Sequence, residues 1–332
     1  MKLSLQEKKR IARESSRAFG SLELAGDILH RTQPDLVVSR NEFRQAESIT
    51  LIREKRDNRN QSICFASRPF VLCGLPVRRL PKGQLLYERR NGRFTLQVTG
   101  HPEFGVPFGQ DRMVPIFLAT MAVRQQSPVL RFKSAAQMLE TFGMQKGGKE
   151  YRRLIAAFER IFGATIFFGT HEDRPAARVI RKGRFNFLRE AKLWYSRDIE
   201  TAVIGEEPQN EIVLSDEFFD EINAHRIPTD LEVVKLLISS PAALDLFMWL
   251  SYRSFTAKGE ERIPLFGPGA LTAQLGSVEY ARPRKFRERL EHWLDSIRQL
   301  WPECRASIAP DGSALIIRNA RAIVTGESRA AS

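Results

Sequence analysis

The chain has 332 residues, 42% of them hydrophobic and 27% charged, a composition that can bury a core and excludes a disordered chain. Lys and Arg number 52 against 39 Asp and Glu, a net charge of +13, so the surface field attracts polyanions, nucleic acid first and anionic membrane second. No apolar run approaches the ~18–20 residues that span a bilayer, and the start MKLSLQEKKRIARESSRAFG is charged throughout, so the expectation is a cytoplasmic chain that is neither membrane-spanning nor secreted.

Residues 1 to about 60 carry an amphipathic stretch (Leu3, Ile11, Phe19, Leu22) and then REKRDNRN, which has almost nothing to bury; they read as a basic, partly helical extension. From Ser62 the stretches ICFASRPFVLCGLPV and GRFTLQVTG are strand-like and open the first domain with a small β element. VPIFLATMAVRQQ places Met113, Ile116, Phe117, Thr120 and Met121 on one helical face, and PVLRF follows as a short strand. SAAQMLETFG reads as a short helix capped by Ser134 and stopped at Gly143. KEYRRLIAAFERIFG then has Tyr151, Leu154, Ile155, Phe158, Ile161 and Phe162 at helical spacing, and ATIFFGT and AARVIRK form two strands joined by HEDRP. Helix, short strand, helix, turn, helix, hairpin is the order of a winged helix.

Residues 174–197 hold eight basic side chains and one acid, whereas residues 206–221 hold seven acids and neither Lys nor Arg, and this contrast marks a junction. Beyond it the grammar repeats. TDLEVVKLLISSPAALDLFMWLSYR is helical with a break near Pro241, IPL is a short strand, and PGALTAQLG is a short helix ended by Gly276. PRKFRERLEHWLDSIRQLW puts Phe286, Leu290, Trp293, Leu294, Ile297 and Leu300 on one face, and RASIAP and ALIIR pair across a turn at residues 310–313. The expected fold is therefore α+β: an extension (1–61), two tandem winged-helix domains (62–205 and 206–322) and a flexible tail (323–332).

In a helix-turn-helix the second helix enters the major groove, and its N-terminal residues reach base edges. Both candidate helices are basic opposite their apolar stripes. Lys149, Arg153 and Arg160 oppose the first stripe with Arg152 on the flank, and Arg282, Arg284, Lys285 and Arg287 crowd the start of the second. Basic residues at a helix N-terminus oppose the helix dipole, and an external phosphate would relieve this. Arg174, Arg178, Arg181 and Lys182 make the first hairpin a candidate wing along the phosphate backbone; ordinary solvated helices and a charged edge hairpin are the plainer readings.

Other chemistry fits less well. GMQKGGKE has the phosphate-loop spacing but carries Glu150 where the magnesium-binding Ser or Thr belongs, and it follows a helix, so it reads as the turn before the next helix. His30, His101, His171, His225 and His292 are isolated, unlike the paired histidines of rolling-circle nicking enzymes. Asp216, Glu217, Asp220 and Glu221 read as the first turns of a helix capped by Ser215. Cys64, Cys73 and Cys304, an odd number with no CxxC, fit a reducing compartment and argue against a disulfide framework or a Cys-rich zinc site. No cofactor, no metal and no enzymatic activity are expected.

The stretch FGVPFGQDRMVPIFLATMAVRQQSPVLRF, continued by MLETFGMQKGGKEYRRLIAAFERIFGATI, resembles the plasmid-encoded RepA replication initiators. So do IVLSDEFFDEI, IPTDLEVVKLLISSPAALDLFMWLSYR, LTAQLG, FRERLEHWLDSI and DGSALIIR, so that the likeness covers roughly residues 100 to 320 and leaves out the N-terminal part. The resemblance implies a tandem winged-helix protein that binds directly repeated sites (iterons) in double-stranded origin DNA. It further implies melting of adjacent AT-rich DNA and recruitment of host replication proteins such as a helicase or initiator. Related initiators act as monomers on iterons and, as homodimers, repress their own promoters. By position, KEYRRLIAAFERIFG and PRKFRERLEHWL would be the recognition helices. A winged-helix repressor without origin function and a nicking or priming enzyme are the rival readings.

Overall fold

The computed structural model describes residues 40–92, 94–145, 147–174, 177–192, 210–267, 270–275, 282–320 and 324, with the backbone alone for 40–46, 135–136 and 170–182. The amphipathic stretch from Leu3 to Leu22 and nearly all of the tail lie outside these. The chain divides into two compact units, Met1–Asn60 and Gln61–Ser332. In the first, α1 (Arg40–Asp57) ends on Lys55 and Arg56, whose charge suits a helix C-terminus. Arg59 closes it with φ +55, and Asn60 N–H returns to Lys55 O at 2.7 Å.

The second unit mixes helix and sheet. Its strand β1 (Ile63–Ser67) pairs antiparallel with β9 (Arg226–Asp230), Ile63 opposite Asp230. The strand-like stretch expected from Ser62 breaks at Pro69, which sits in the first turn of α2 (Arg68–Leu72) and cannot donate to a ladder. β2 (Leu86–Asn91) and β3 (Phe94–Thr99) form a hairpin.

A four-residue 3-10 turn, Gly109–Arg112, leads into α3 (Met113–Gln125). α3 is buried on nearly every side instead of along one face, because β1 packs against it: Thr120 Oγ1 donates to Ile116 O at 2.7 Å and accepts from Phe65 N at 2.9 Å. β4 (Val129–Phe132) follows, then α4 (Ala135–Thr141), capped by Ser134 and closed at Gly143, φ +64, as expected. α5 (Gly148–Phe162) comes next, so GMQKGGKE is the turn between two helices.

The hairpin that follows, β5 (Thr165–Arg174) and β6 (Ala177–Asn186), is longer than the expected strands, and β4 lies in another sheet. It extends the first hairpin into a sheet ordered β2-β3-β5-β6, because Ile166 and Phe168 bury opposite Val98 and Leu96. β4 pairs instead with β8 (Asn210–Leu214), which also pairs with β7 (Leu188–Lys192), giving the order β4-β8-β7. The junction expected at 205/206 thus falls in the connection between two paired strands. The acidic run supplies β8 and the start of α6 (Asp216–His225), where the Ser215 hydroxyl accepts from Phe218 N at 3.1 Å. Phe218 and Phe187 are 5.2 Å apart edge to face, and Phe70 stacks on Phe187 at 5.1 Å, locking α6 and α2 onto the strands.

After β9, α7 (Leu231–Leu237) is capped by Asp230, and α8 (Pro241–Thr256) restarts with Pro241 in its first turn, the break the sequence predicts. β10 (Glu261–Pro264), α9 (Leu271–Gln274), α10 (Pro283–Leu300), β11 (Ser307–Ile308) and β12 (Ala314–Ile317) complete the unit. Their sheet runs β10-β12-β11. It repeats the first–third–second order of β4-β8-β7.

Candidate nucleic-acid interface

α10 sets its outward face by burying the other one. Phe286, Leu290, Trp293, Leu294, Ile297 and Leu300 are all buried, as their spacing requires, so Arg284, Lys285, Arg287 and Arg289 are left exposed. The first turn has no acidic residue and no side-chain cap, with exposed Arg282 at the N-cap and Pro283 next. Its amides and three cations meet at one helix end, which is the electrostatics of an anion site. Arg284 and Glu288 pair at 2.9 Å, while the Arg287 guanidinium lies 5.7 Å from the Phe266 ring centroid. Gly312, φ +66, lets the β11–β12 turn approach Arg287, since a Cβ there would come within 3.3 Å of Nε. At that turn the Ser313 backbone amide and hydroxyl hold the Asp311 carboxyl below the ordinary range, with Arg262 at 2.8 Å adding to the effect.

α5 buries Leu154, Ala157, Phe158 and Ile161, but Phe162, expected in the stripe, is 47% exposed at the helix end. Lys149, Arg152 and Arg153 face solvent. Arg153 pairs with Glu150 at 3.1 Å and donates to Gln110. Arg160 is turned inward: its Nε and Nη2 donate to Asp111 at 2.6 and 2.9 Å, and its guanidinium stacks 4.9 Å from the Phe108 ring. α5 therefore presents its cations in the first two turns, with the fourth used for packing.

Arg174, Arg178, Arg181 and Lys182 are strand positions of β5 and β6, with Asp173 opposite Arg178 and Thr170 opposite Arg181; their side chains lie outside the described residues. In the same strand Arg184 is exposed over Phe167, 5.5 Å from its centroid. Arg184 and Arg289 extend the basic surface beyond the residues expected from the sequence. The charge run around Lys182 signals the first, and the second lies one turn past the crowded start of α10. The turn Gly109–Arg112 gave no signal of its own, because its role depends on helices distant in sequence. Of the acidic cluster, Glu221 faces Arg68 (3.1 and 3.0 Å) and Asp216 lies 3.9 Å from Arg189. Among the described residues no group of three or more His, Cys, Asp or Glu could hold a metal, and no helix is long and apolar enough to cross a membrane.

Among curated proteins nothing matches the chain. Two solved structures are similar to it, both of domains 2 and 3 of RctB. One, of selenomethionine derivatives, has 15% identity and a TM-score of 0.47 and covers 76% of this chain and 99% of its own. The other, RctB residues 155–483, has 14% identity and a TM-score of 0.42, with 73% and 92% covered. Residues 106–263, from the segment before the Gly109–Arg112 turn to β10, match the family model described as plasmid encoded RepA protein, and over this stretch the chain is similar to that family.

Proposed function

We propose that this chain is a replication initiator, a tandem winged-helix protein that binds directly repeated duplex sites at a plasmid origin and reads them with α5 and α10. The observation that carries the reading is the start of α10: an uncapped helix end, buried on one face, that offers Arg282, Arg284, Lys285 and Arg287 together on the other. The strand order β10-β12-β11 around α8, α9 and α10, repeated as β4-β8-β7 around α3, α4 and α5, supports two winged helices. On that reading the β5–β6 hairpin is an insertion in the sheet β2-β3-β5-β6.

Two such helices reach successive major grooves about 34 Å apart, so one monomer reads about two turns of DNA. Binding to many repeats bends the origin, and a deformation cost of about 1–6 kcal/mol per site is offset by added contacts, which opens AT-rich DNA without an enzymatic step by this chain. Host replication proteins then load on the opened strand, and a homodimer represses the promoter. These events belong to the bacterial cytoplasm. Selection of bound duplexes from a randomised library at physiological salt tests the reading. A defined asymmetric motif of about two turns is expected; salt-sensitive binding with no motif would overturn it.

A further inference from the structure

We infer that the turn Gly109–Arg112 is the bracket that fixes α5 and α10 relative to one another, making Asp111, Arg112 and Asp245 positioning residues for DNA reading. The inference rests on the proposed role of those two helices. In a 3-10 turn successive side chains diverge by about 120°, so neighbours in sequence face different elements. Gln110 accepts from Arg153, and Asp111 accepts both bonds of Arg160, so both residues hold α5. Arg112 faces the other way. Its Nε and Nη2 donate to the two oxygens of Asp245 on α8, each at 2.8 Å, and its remaining donors reach Leu75 O (2.8 Å) and Gly109 O.

Asp245 and Arg112 are only 5% and 3% exposed, and α8 packs directly on α10. A continuous path of paired charges therefore runs from α5 through Asp111 and Arg112 to α8, the support of α10. Arg89 adds a parallel tie from β2 to α9, donating to Gln274 O at 3.3 Å. Apolar packing between the same elements is non-directional, whereas two forked guanidinium–carboxylate pairs fix both distance and angle. A buried ion pair contributes little net stability compared with an apolar pair of similar volume, so its use here is geometric. The geometry it holds is the one a two-groove reader needs, because the second helix enters its groove at full effective concentration only if its spacing from the first is set beforehand.

The test replaces the pair by packing without direction, Arg112→Met with Asp245→Leu, in the full chain. Spin labels at Glu159→Cys on α5 and Glu291→Cys on α10 report the interhelix distance by double electron–electron resonance in free protein. Anisotropy gives affinity for the selected site and for each half of it. A broadened distance distribution is expected, with affinity for the full site falling about tenfold or more and half-site affinity unchanged. An unchanged distribution, or equal losses on full and half sites, would overturn the bracket. If the parent chain binds the full site no better than a half, the reading of α5 and α10 fails, while the label distances still decide the bracket. Should the double variant not fold, Asp111→Asn, which keeps the shape of the turn and removes its charge, carries the same two measurements.

Discussion

Arg284, on a side chain 90% exposed, donates from Nε to Glu288 one turn along α10 at 2.9 Å. A pair this exposed contributes only about 0.3–0.5 kcal/mol, so nothing in the fold depends on it and the guanidinium is available to exchange Glu288 for a base or phosphate. Arg284→Ala is therefore expected to leave thermal unfolding unchanged and to cost about 1–3 kcal/mol on the selected duplex, with a smaller loss on random DNA. Anisotropy titrations on the two duplexes check this. Equal losses on both would remove Arg284 from the base readers.

The cations of α5 separate by environment. Arg160 holds the buried Asp111 carboxylate, so Arg160→Ala leaves that charge without its guanidinium and should lower unfolding stability by about 3 kcal/mol. Lys149→Ala and Arg152→Ala, both exposed, should change stability by less than about 0.5 kcal/mol. On a phosphate-contact reading each instead reduces the salt slope of binding by about one unit. Urea denaturation and salt titration, run on the same variants, distinguish the two classes.

The periodicity of α10 predicted its buried face residue for residue, and the caps Ser134 and Ser215 and the stop at Gly143 were equally legible, because such signals are local. Strand partners were not. The sequence shows β4 as a short strand without its partner, and that partner, β8, begins 78 residues after Phe132, at Asn210, where a run of acids reads as a junction. α3 shows the same limit: an apolar stripe is visible in its sequence, whereas burial on its remaining sides depends on β1, which reaches it from elsewhere in the chain. At the candidate interface exposure followed from charge opposite apolar residues for Lys149 and Arg153. It failed for Arg160, which only the fold brings against Asp111.

The three cysteines have a chemical consequence. All are buried, and burial pushes the thiols up, Cys73 to about 12, with Arg89 opposing the shift only in part. The thiolate is the reactive form, so at pH 8 to 9 the folded chain presents almost none of it, and raising pH within that window adds little. Maleimide labelling followed by intact mass is expected to show no rapid addition to the native protein and three additions in denaturant. Fast native labelling of Cys73 would mean that the end of α2 opens locally.

Gly74 and Gly92 isolate a second property of the buried charges. Both have left-handed backbones, φ +60 and +57, so alanine at either costs about 1–2 kcal/mol in backbone terms alone. At Gly92 a Cβ meets open space, whereas at Gly74 it lands 2.8 Å from Asp245 Oδ2 and 3.4 Å from Arg89 Nη1. That carboxylate cannot retreat without lengthening its two bonds to Arg112. Gly74→Ala is therefore expected to lose stability beyond the Gly92→Ala value by about 1–3 kcal/mol, the cost of disturbing a buried hydrogen-bonded charge. Parallel urea unfolding of the two variants gives the difference. Equal losses would show that the Asp245 carboxylate yields freely to its neighbour, and the pair with Arg112 would then not be the rigid contact its geometry describes.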